Sequence, residues 1–171
     1  MTGSYPCEAV ANWFIKKFQG DQKAITQLQL QKLVYIAHGW HLASSVNTDG
    51  IIAEAIFAWK YGPVIPRLWE EFAQFGSRPI TDFATDEVDG HIFVPDISNH
   101  SPQAWEIQLL DYVYDVYGRL TGPQLIELTH KPGTPWHSVT EGGTKISSNK
   151  LINNSVIRDY YAQLLEELNG N

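Results

Sequence analysis

The chain has 171 residues, a formal net charge of −7 and a single cysteine, Cys7. This length suits one domain that folds without disulfides or metal, and one cysteine excludes both an intrachain disulfide and a cysteine-based zinc site. Only 12 Lys and Arg residues are scattered along this acidic chain, and no run reaches the ~20 apolar residues of a membrane span. We therefore expect a cytoplasmic protein that binds neither nucleic acid nor membrane.

Two helix patterns occupy the N-terminal part of the sequence. Pro6 suits a first helical position, and the apolar residues that follow it at helical spacing predict a helix over 7–18. Thr26 and Gln29 have the spacing of a capping box, in which each side chain satisfies a free backbone N–H of the other residue. Apolar residues at three- and four-residue steps then predict a second helix to about Ser44.

The middle of the sequence is less regular. Residues 54–61 are short, aromatic and followed by a Gly-Pro dipeptide, so we interpret them as extended. Pro66 suits the start of a third helix, for which Gly76 is a plausible left-handed stop. The fragment 91–94 predicts one strand within an otherwise irregular connection.

The C-terminal part predicts four more helices. Ser101 precedes a proline and is the expected cap of the fourth helix, and a second capping box begins at Thr121. Thr134 precedes another proline and opens a short helix, and the last helix covers 155–168. The sum is a mainly α, compact single domain over 1–171, with about six or seven helices and a few short strands.

Local signatures of catalysis are weak in this sequence. There is no G-x-S-x-G, we expect Cys7 to lie at a mobile chain start, and the glycines and lysine of 141–145 lack phosphate-loop spacing. His38 and His41 are one helical turn apart and leave metal ligation open. A hydrogen-bonded core histidine is nevertheless the commoner case. We predict that the protein is not an enzyme, with a metal-dependent enzyme built on the two histidines as a minor alternative.

Three separated motifs occur in order along the chain. They are KLVYIAHGWHLA at 32–43, EAIFAWKYGPVIP at 54–66, and LTH at 128–130 followed by TPW at 134–136. In this order and at these intervals they resemble the Panacea domain, the antitoxin domain also called the SocA-like or GepA-like phage-associated family. The resemblance extends from about Ala9 to the last helix.

The resemblance implies a mostly helical fold and a bacterial or prophage origin. It also implies that the protein is the antidote in a two-gene toxin–antitoxin pair, with a cognate protein toxin as its partner. One characterised type in the family hands its toxin to a cytosolic protease, so a proteolytic adaptor is the alternative function. The resemblance implies neither enzymatic activity nor a cofactor.

The positions that carry the family motifs are Trp40, Trp59, Lys60, Tyr61, Gly62, Pro63, His130 and Trp136. The resemblance does not separate those that contact a toxin from those that only hold the fold.

The stretch WKYGPVIPRLWEEF at 59–72 contains both kinds of residue. We expect its large aromatic residues to fill the core, since each aromatic side chain buries some 150–250 Å²; these are Trp59, Trp69 and Phe72. We expect Lys60, Tyr61 and Arg67 to project from the rigid turn and to form part of a toxin-facing surface. Tyrosine and arginine are among the residue types that dominate binding hot spots.

Overall fold

The computed structural model describes residues 4–46 and 48–170. Within these ranges the chain forms seven α-helices, so the mainly α fold predicted from the sequence is confirmed. They are α1 (Cys7–Gly20), α2 (Gln27–Ser44), α3 (Pro66–Glu71), α4 (Ala104–Tyr117), α5 (Gly122–His130), α6 (Pro135–Val139) and α7 (Asn154–Asn169). Two short hairpins, β1 (Phe57–Trp59) with β2 (Gly62–Val64) and β3 (Asp86–Val88) with β4 (His91–Phe93), lie between α2 and α4.

The second helix lies at the centre of the fold. Every residue from 30 to 42 is buried, so α2 is covered on all sides rather than on one face. It packs against α7, α4, α1 and α5. Its start is the predicted capping box, in which the backbone N–H of Thr26 donates to the side chain of Gln29 at 3.0 Å.

Two buried amide side chains hold non-helical backbone against the helices. Gln31 on α2 accepts from the backbone N–H of Ile65 at 2.9 Å and donates to its carbonyl at 3.2 Å, which fixes the start of α3. Asn12 on α1 does the same for Ala84, at 2.8 and 3.0 Å, and also donates to the carbonyl of Pro95 at 2.8 Å. Both ends of the β3–β4 segment are therefore tied to α1.

The two hairpins differ in how they are covered. In the first, the segment 150–152 pairs along the outer edge of β1, where Ala58 donates to the carbonyl of Lys150 at 2.7 Å. In the second, Asp86 pairs with Phe93 and Val88 with His91, and no further strand pairs with it in the described ranges. The strand predicted at 91–94 is confirmed as β4, whereas only the centre of the predicted extended segment 54–61 forms a strand, β1.

Three local predictions are corrected by the structure. Cys7 does not lie in a mobile segment, because it is the first residue of α1 and is fully buried. Ser101 does not cap α4; its backbone is left-handed, and Gln103 forms a capping box with Glu106 instead. The third helix ends at Glu71, and a 3₁₀ turn continues the chain to the predicted stop.

The buried apolar side chains form one hydrophobic cluster that extends from Tyr5 to Tyr161. The single domain over 1–171 remains a prediction of the sequence. No helix in the described part of the chain combines the length and the apolar character that crossing a membrane requires.

The contact between α2 and α7 gives a stability prediction at Gly39. Alanine normally stabilises a helix interior by about 0.8–1.0 kcal/mol relative to glycine, but a Cβ at Gly39 would overlap the ring of Tyr161. Overpacking of this kind costs about 1–3 kcal/mol. We expect Gly39→Ala to lower the free energy of unfolding by about 1–2 kcal/mol in urea denaturation.

The matched control is Gly20→Ala at the end of α1, where an added Cβ meets nothing within 4 Å. This variant is expected to keep its full stability. If Gly39→Ala unfolds at the same urea concentration as the unmodified chain, the close approach of α2 and α7 is incorrect.

Candidate partner-binding site

The three sequence motifs meet at the turn between β1 and β2. The buried ammonium of Lys32, on α2, donates to the carbonyl of Pro63 at 3.1 Å. Gly62 has a φ of 106°, and a Cβ there would lie 2.8 Å from Cε of Lys32 and 3.0 Å from Oγ1 of Thr129. Glycine is therefore required at this position both for its backbone conformation and for the space between α2 and α5.

The third motif supports the hairpin from the other side. The rings of His130 and Trp136 stack in parallel, with centroids 3.6 Å apart and an interplanar angle of 2°. The indole N–H of Trp136 donates to the carbonyl of Trp59 at 2.7 Å. Burial, and secondly the charge of Lys32, lower the pKa of His130. At neutral pH these effects favour the neutral imidazole in the stack.

The tryptophans of the segment 59–72 are not in the core, although Phe72 is. Phe72 is buried, as predicted, and Trp59 is half-buried, with its indole N–H donating to the carbonyl of Ser148 at 3.0 Å. Trp69 retains 41% of its accessible surface, so the prediction that it fills the core is wrong. It packs edge-to-face against Trp59 at 6.0 Å and presents the rest of its ring to solvent.

Lys60 and Tyr61 form the exposed tip of the β1–β2 turn. Tyr61 retains 56% of its accessible surface, and the ammonium of Lys60 lies 5.4 Å from its ring centroid. Arg67 is also exposed, but its guanidinium is ion-paired with Glu8 on α1 and, at 3.3 Å, with Asp86 on β3. The structure thus exposes all three predicted contact residues, and it directs Arg67 towards the β3–β4 hairpin.

Trp40, the remaining motif position, has a structural role in the core. It is buried, packs edge-to-face against Tyr161 at a centroid distance of 5.2 Å, and donates from its indole N–H to the hydroxyl of Tyr117 at 3.3 Å. These contacts join α2 to α7 and α4. A large partner cannot reach most of this ring in the folded chain.

The two histidines that suggested a metal site have other partners. His38 shares a hydrogen bond of 2.9 Å with Asn154 on α7, whereas His41 shares one of 3.1 Å with Glu106 on α4. Tyr5 donates to the second oxygen of Glu106 at 2.5 Å. Burial lowers the pKa of His38 to about 4 and also lowers that of His41. The two imidazole rings are therefore hydrogen-bonded to different helices and do not converge on a common metal position.

Within the part of the chain that the structure describes, one group has the spacing of metal ligands, and it contains neither histidine. It consists of Cys7, Glu8 and Glu54. Burial, followed by the charges of the two carboxylates, raises the pKa of the Cys7 thiol. The chain's one cysteine is therefore a protonated, buried thiol at neutral pH and not an activated nucleophile.

Comparison with known proteins identifies the family. The sequence model described as "Antitoxin SocA-like, Panacea domain" matches residues 30–137, the range that includes most of α2, the β1–β2 turn and the His130–Trp136 stack. The chain belongs to this family. The family predicted from the three motifs is thereby confirmed.

One curated relative extends the similarity over most of the chain. Antitoxin SocA of Caulobacter vibrioides (strain NA1000 / CB15N) is 32% identical over 164 residues, which cover 92% of this chain and 83% of that protein. No solved structure matches the chain.

Lys32 is the site residue that sequence reasoning missed, although it lies inside the first motif. The available signal was a lysine followed directly by the apolar run 33–37 within a predicted helix. Such a lysine indicates either that its helix face is not buried or that its buried amine has a specific acceptor. Its acceptor, the carbonyl of Pro63, is 31 residues away and follows only from the fold.

The buried ammonium of Lys32 predicts a pH dependence of stability. Burial lowers its pKa to about 7, well below the ordinary lysine value. Between pH 7 and pH 9 the unfolded chain therefore binds more protons than the folded chain, and stability rises with pH. The contribution of Lys32 to this slope approaches about 1.4 kcal/mol per pH unit.

Urea denaturation of the unmodified chain and of Lys32→Met at several pH values from 7 to 9 measures this slope. We expect the Met variant to lose it, whatever its stability at any single pH. Lys16→Met, at an exposed position of α1, is the control and retains the slope. Equal slopes of unfolding free energy against pH in all three proteins would show that burial does not lower the pKa of Lys32.

Proposed function

We propose that this chain neutralises a cognate protein toxin by binding it directly, in the cytoplasm and without catalysing a reaction. Membership of an antitoxin family supports the antitoxin role. The observation that carries the direct-binding proposal is the pair of exposed aromatic rings, Tyr61 and Trp69, at the junction of the family motifs.

The way in which Trp59 is held next to these rings favours binding. Trp59 is half-buried and packs against the ring of Trp69, and its own polar groups are already engaged by Trp136 and Ser148. A turn held in this way loses little conformational freedom when a partner binds, so more of the contact energy appears as affinity. Tyrosine and tryptophan provide large contact areas with few rotatable bonds.

Lys60 and Arg67 add polar contacts to the proposed surface. The ammonium of Lys60 is exposed beside the Tyr61 ring, where an acidic or carbonyl group of a partner can reach it. Arg67 uses Nε and Nη2 in its ion pairs with Glu8 and Asp86. Guanidinium has five N–H donors, so Arg67 can still donate to a partner from this fixed position.

Co-expression with the product of the adjacent open reading frame tests the proposal. We expect that product to inhibit growth when expressed alone, and the chain to relieve the inhibition and to co-purify with it. A harmless product, or a toxic one that the chain neither binds nor neutralises, contradicts the proposal. The half-life of the toxin separates the two modes of action: a shorter half-life in the presence of the chain indicates delivery to an ATP-dependent protease, whereas simple binding leaves it unchanged.

The tip of the turn gives a prediction about affinity. Truncation of a central aromatic contact residue costs about 2 kcal/mol or more, so we expect Tyr61→Ala to weaken toxin binding by about 30-fold and to reduce rescue of growth. Lys60→Ala is expected to have a smaller effect of about threefold to tenfold. Isothermal titration calorimetry with the purified toxin measures both.

Lys145→Ala is the matched control, since this lysine is also exposed and pairs with Glu141, four residues earlier in the turn segment after α6. It should leave the affinity unchanged, and Tyr61→Phe should retain most of it because the ring remains. Full affinity in Tyr61→Ala would place the toxin elsewhere on the chain.

A further inference from the structure

A second exposed surface lies at the β3–β4 hairpin. Arg67 lies between this hairpin and the tip of the β1–β2 turn. A groove of about 790 Å³ lies between α1, α4 and the segment that follows β4. Its apolar walls come from Trp13 on α1, Ile107 on α4, and Phe83 and Val94 at the two ends of the hairpin. We call this the α1–α4 groove.

The hairpin extends the apolar wall of the groove into solvent. Ile92 and Val94 retain 71% and 48% of their accessible surface, and Phe93 between them is also exposed. Isolated exposed apolar residues are common on monomeric proteins, but a contiguous run that leads into an apolar groove marks an interaction surface. Val88, on the neighbouring strand, is also exposed, but it pairs with His91 and therefore lies on the opposite face of the hairpin from Ile92.

This apolar surface is held in place rather than left loose. Asn12 binds the backbone of Ala84 before β3 and the carbonyl of Pro95 after β4, so both ends of the hairpin are fixed to α1. Asp96 accepts from the backbone N–H of Ser98 at 2.8 Å and caps the turn that follows. The exposed side chains are therefore presented in a fixed arrangement, which reduces the entropy lost on binding.

The charges around the groove indicate the kind of partner. Residues 79–98 contain no lysine or arginine, and they contain five acidic residues: Asp82, Asp86, Glu87, Asp89 and Asp96. On α1, Lys16 and Lys17 also line the groove, together with Asp21, Asp96 and Asp111, and Lys17 is paired with Asp111 on α4 at 2.7 Å. A negatively charged rim disfavours nucleic acid and anionic membranes, and it favours a polypeptide that carries lysine or arginine.

We propose that the α1–α4 groove and the hairpin residues 88–94 bind one segment of the toxin, in which large apolar side chains are flanked by lysine or arginine. This inference rests on the proposed function, because it names a second contact surface for the same partner. The apolar side chains of that segment fill the groove and cover Ile92 and Val94. Its cationic side chains face the acidic residues of the hairpin.

The two surfaces are physically connected through α3. Arg67 on α3 pairs with Asp86 on β3, and the backbone N–H of Thr85 donates to Glu71 at the end of α3, at 2.8 Å. The helix between the Tyr61 tip and the β3–β4 hairpin therefore belongs to one continuous surface. A single toxin molecule can contact both ends of it.

Variants of the hairpin test the apolar contact by calorimetry with the purified product of the adjacent open reading frame. Ile92→Asp and Val94→Asp are each expected to weaken binding by about tenfold or more, because a carboxylate would have to be desolvated in an apolar contact. The control is Val46→Asp, at a fully exposed apolar residue after α2, which should bind as the unmodified chain does.

Charge reversal tests the acidic rim separately. Glu87→Lys on the hairpin is expected to slow association by severalfold at low salt, and the difference should shrink as salt is added. Glu127→Lys, at an exposed position of α5, is the matched control and should change the association rate much less. Equal effects of the two reversals would overturn the assignment of a basic segment to this rim.

Hydrogen exchange on the unmodified complex gives a readout that needs no variant. We expect slower exchange in residues 83–98 and in α1 when toxin is bound. A complex that forms without protection there, and that tolerates both aspartate substitutions, overturns this inference and leaves the proposed function intact. Failure of the unmodified chain to form any complex overturns both.

Discussion

The burial of α2 on all sides is the constraint on which the rest of the structure depends. A helix in this position has to find protein partners for most of its polar side chains, because a buried polar group with no partner costs about 1–3 kcal/mol. Four buried polar side chains of α2 each hold a different part of the chain, although Nδ1 of His41 has no partner among the described residues. Gln31 fixes the start of α3, Lys32 fixes the β1–β2 turn, His38 fixes α7 and His41 fixes α4.

This arrangement explains why the family motifs consist of separated segments. The lysine of the first motif, the Gly-Pro turn of the second and the threonine of the third contact one another around Gly62. None of these residues could be replaced alone without a change in the space or the hydrogen bonds of the other two. The exposed residues at the tip of the turn, Lys60 and Tyr61, take no part in this contact. A partner can therefore reach these two side chains, whereas the contact beneath them is buried.

Helix starts were predictable because their causes are local. Thr26, Thr121 and Thr134 cap α2, α5 and α6 through side chains that reach only three residues ahead. The exposure of Trp69 and the ion pairs of Arg67 were not predictable, since both depend on segments that meet only in the folded chain. The cap predicted at Ser101 was wrong because another capping pair lies close by in sequence. Gln103 and Glu106 form the capping box two residues later. For the site, the sequence indicated its exposed tip and its aromatic support but not the buried ammonium beneath it.

The carboxylate of Glu106 binds Tyr5 and α2 in addition to capping its own helix. One of its oxygens accepts from Tyr5 and from the backbone N–H of Gln103, and the other is hydrogen-bonded to His41. A change at any one of these side chains leaves unmet partners at the others, so a single substitution is harmful even where a pair of substitutions is tolerated. Across the family, positions 5, 41 and 106 should therefore covary, and an alignment that is deep enough would reveal them as a linked set.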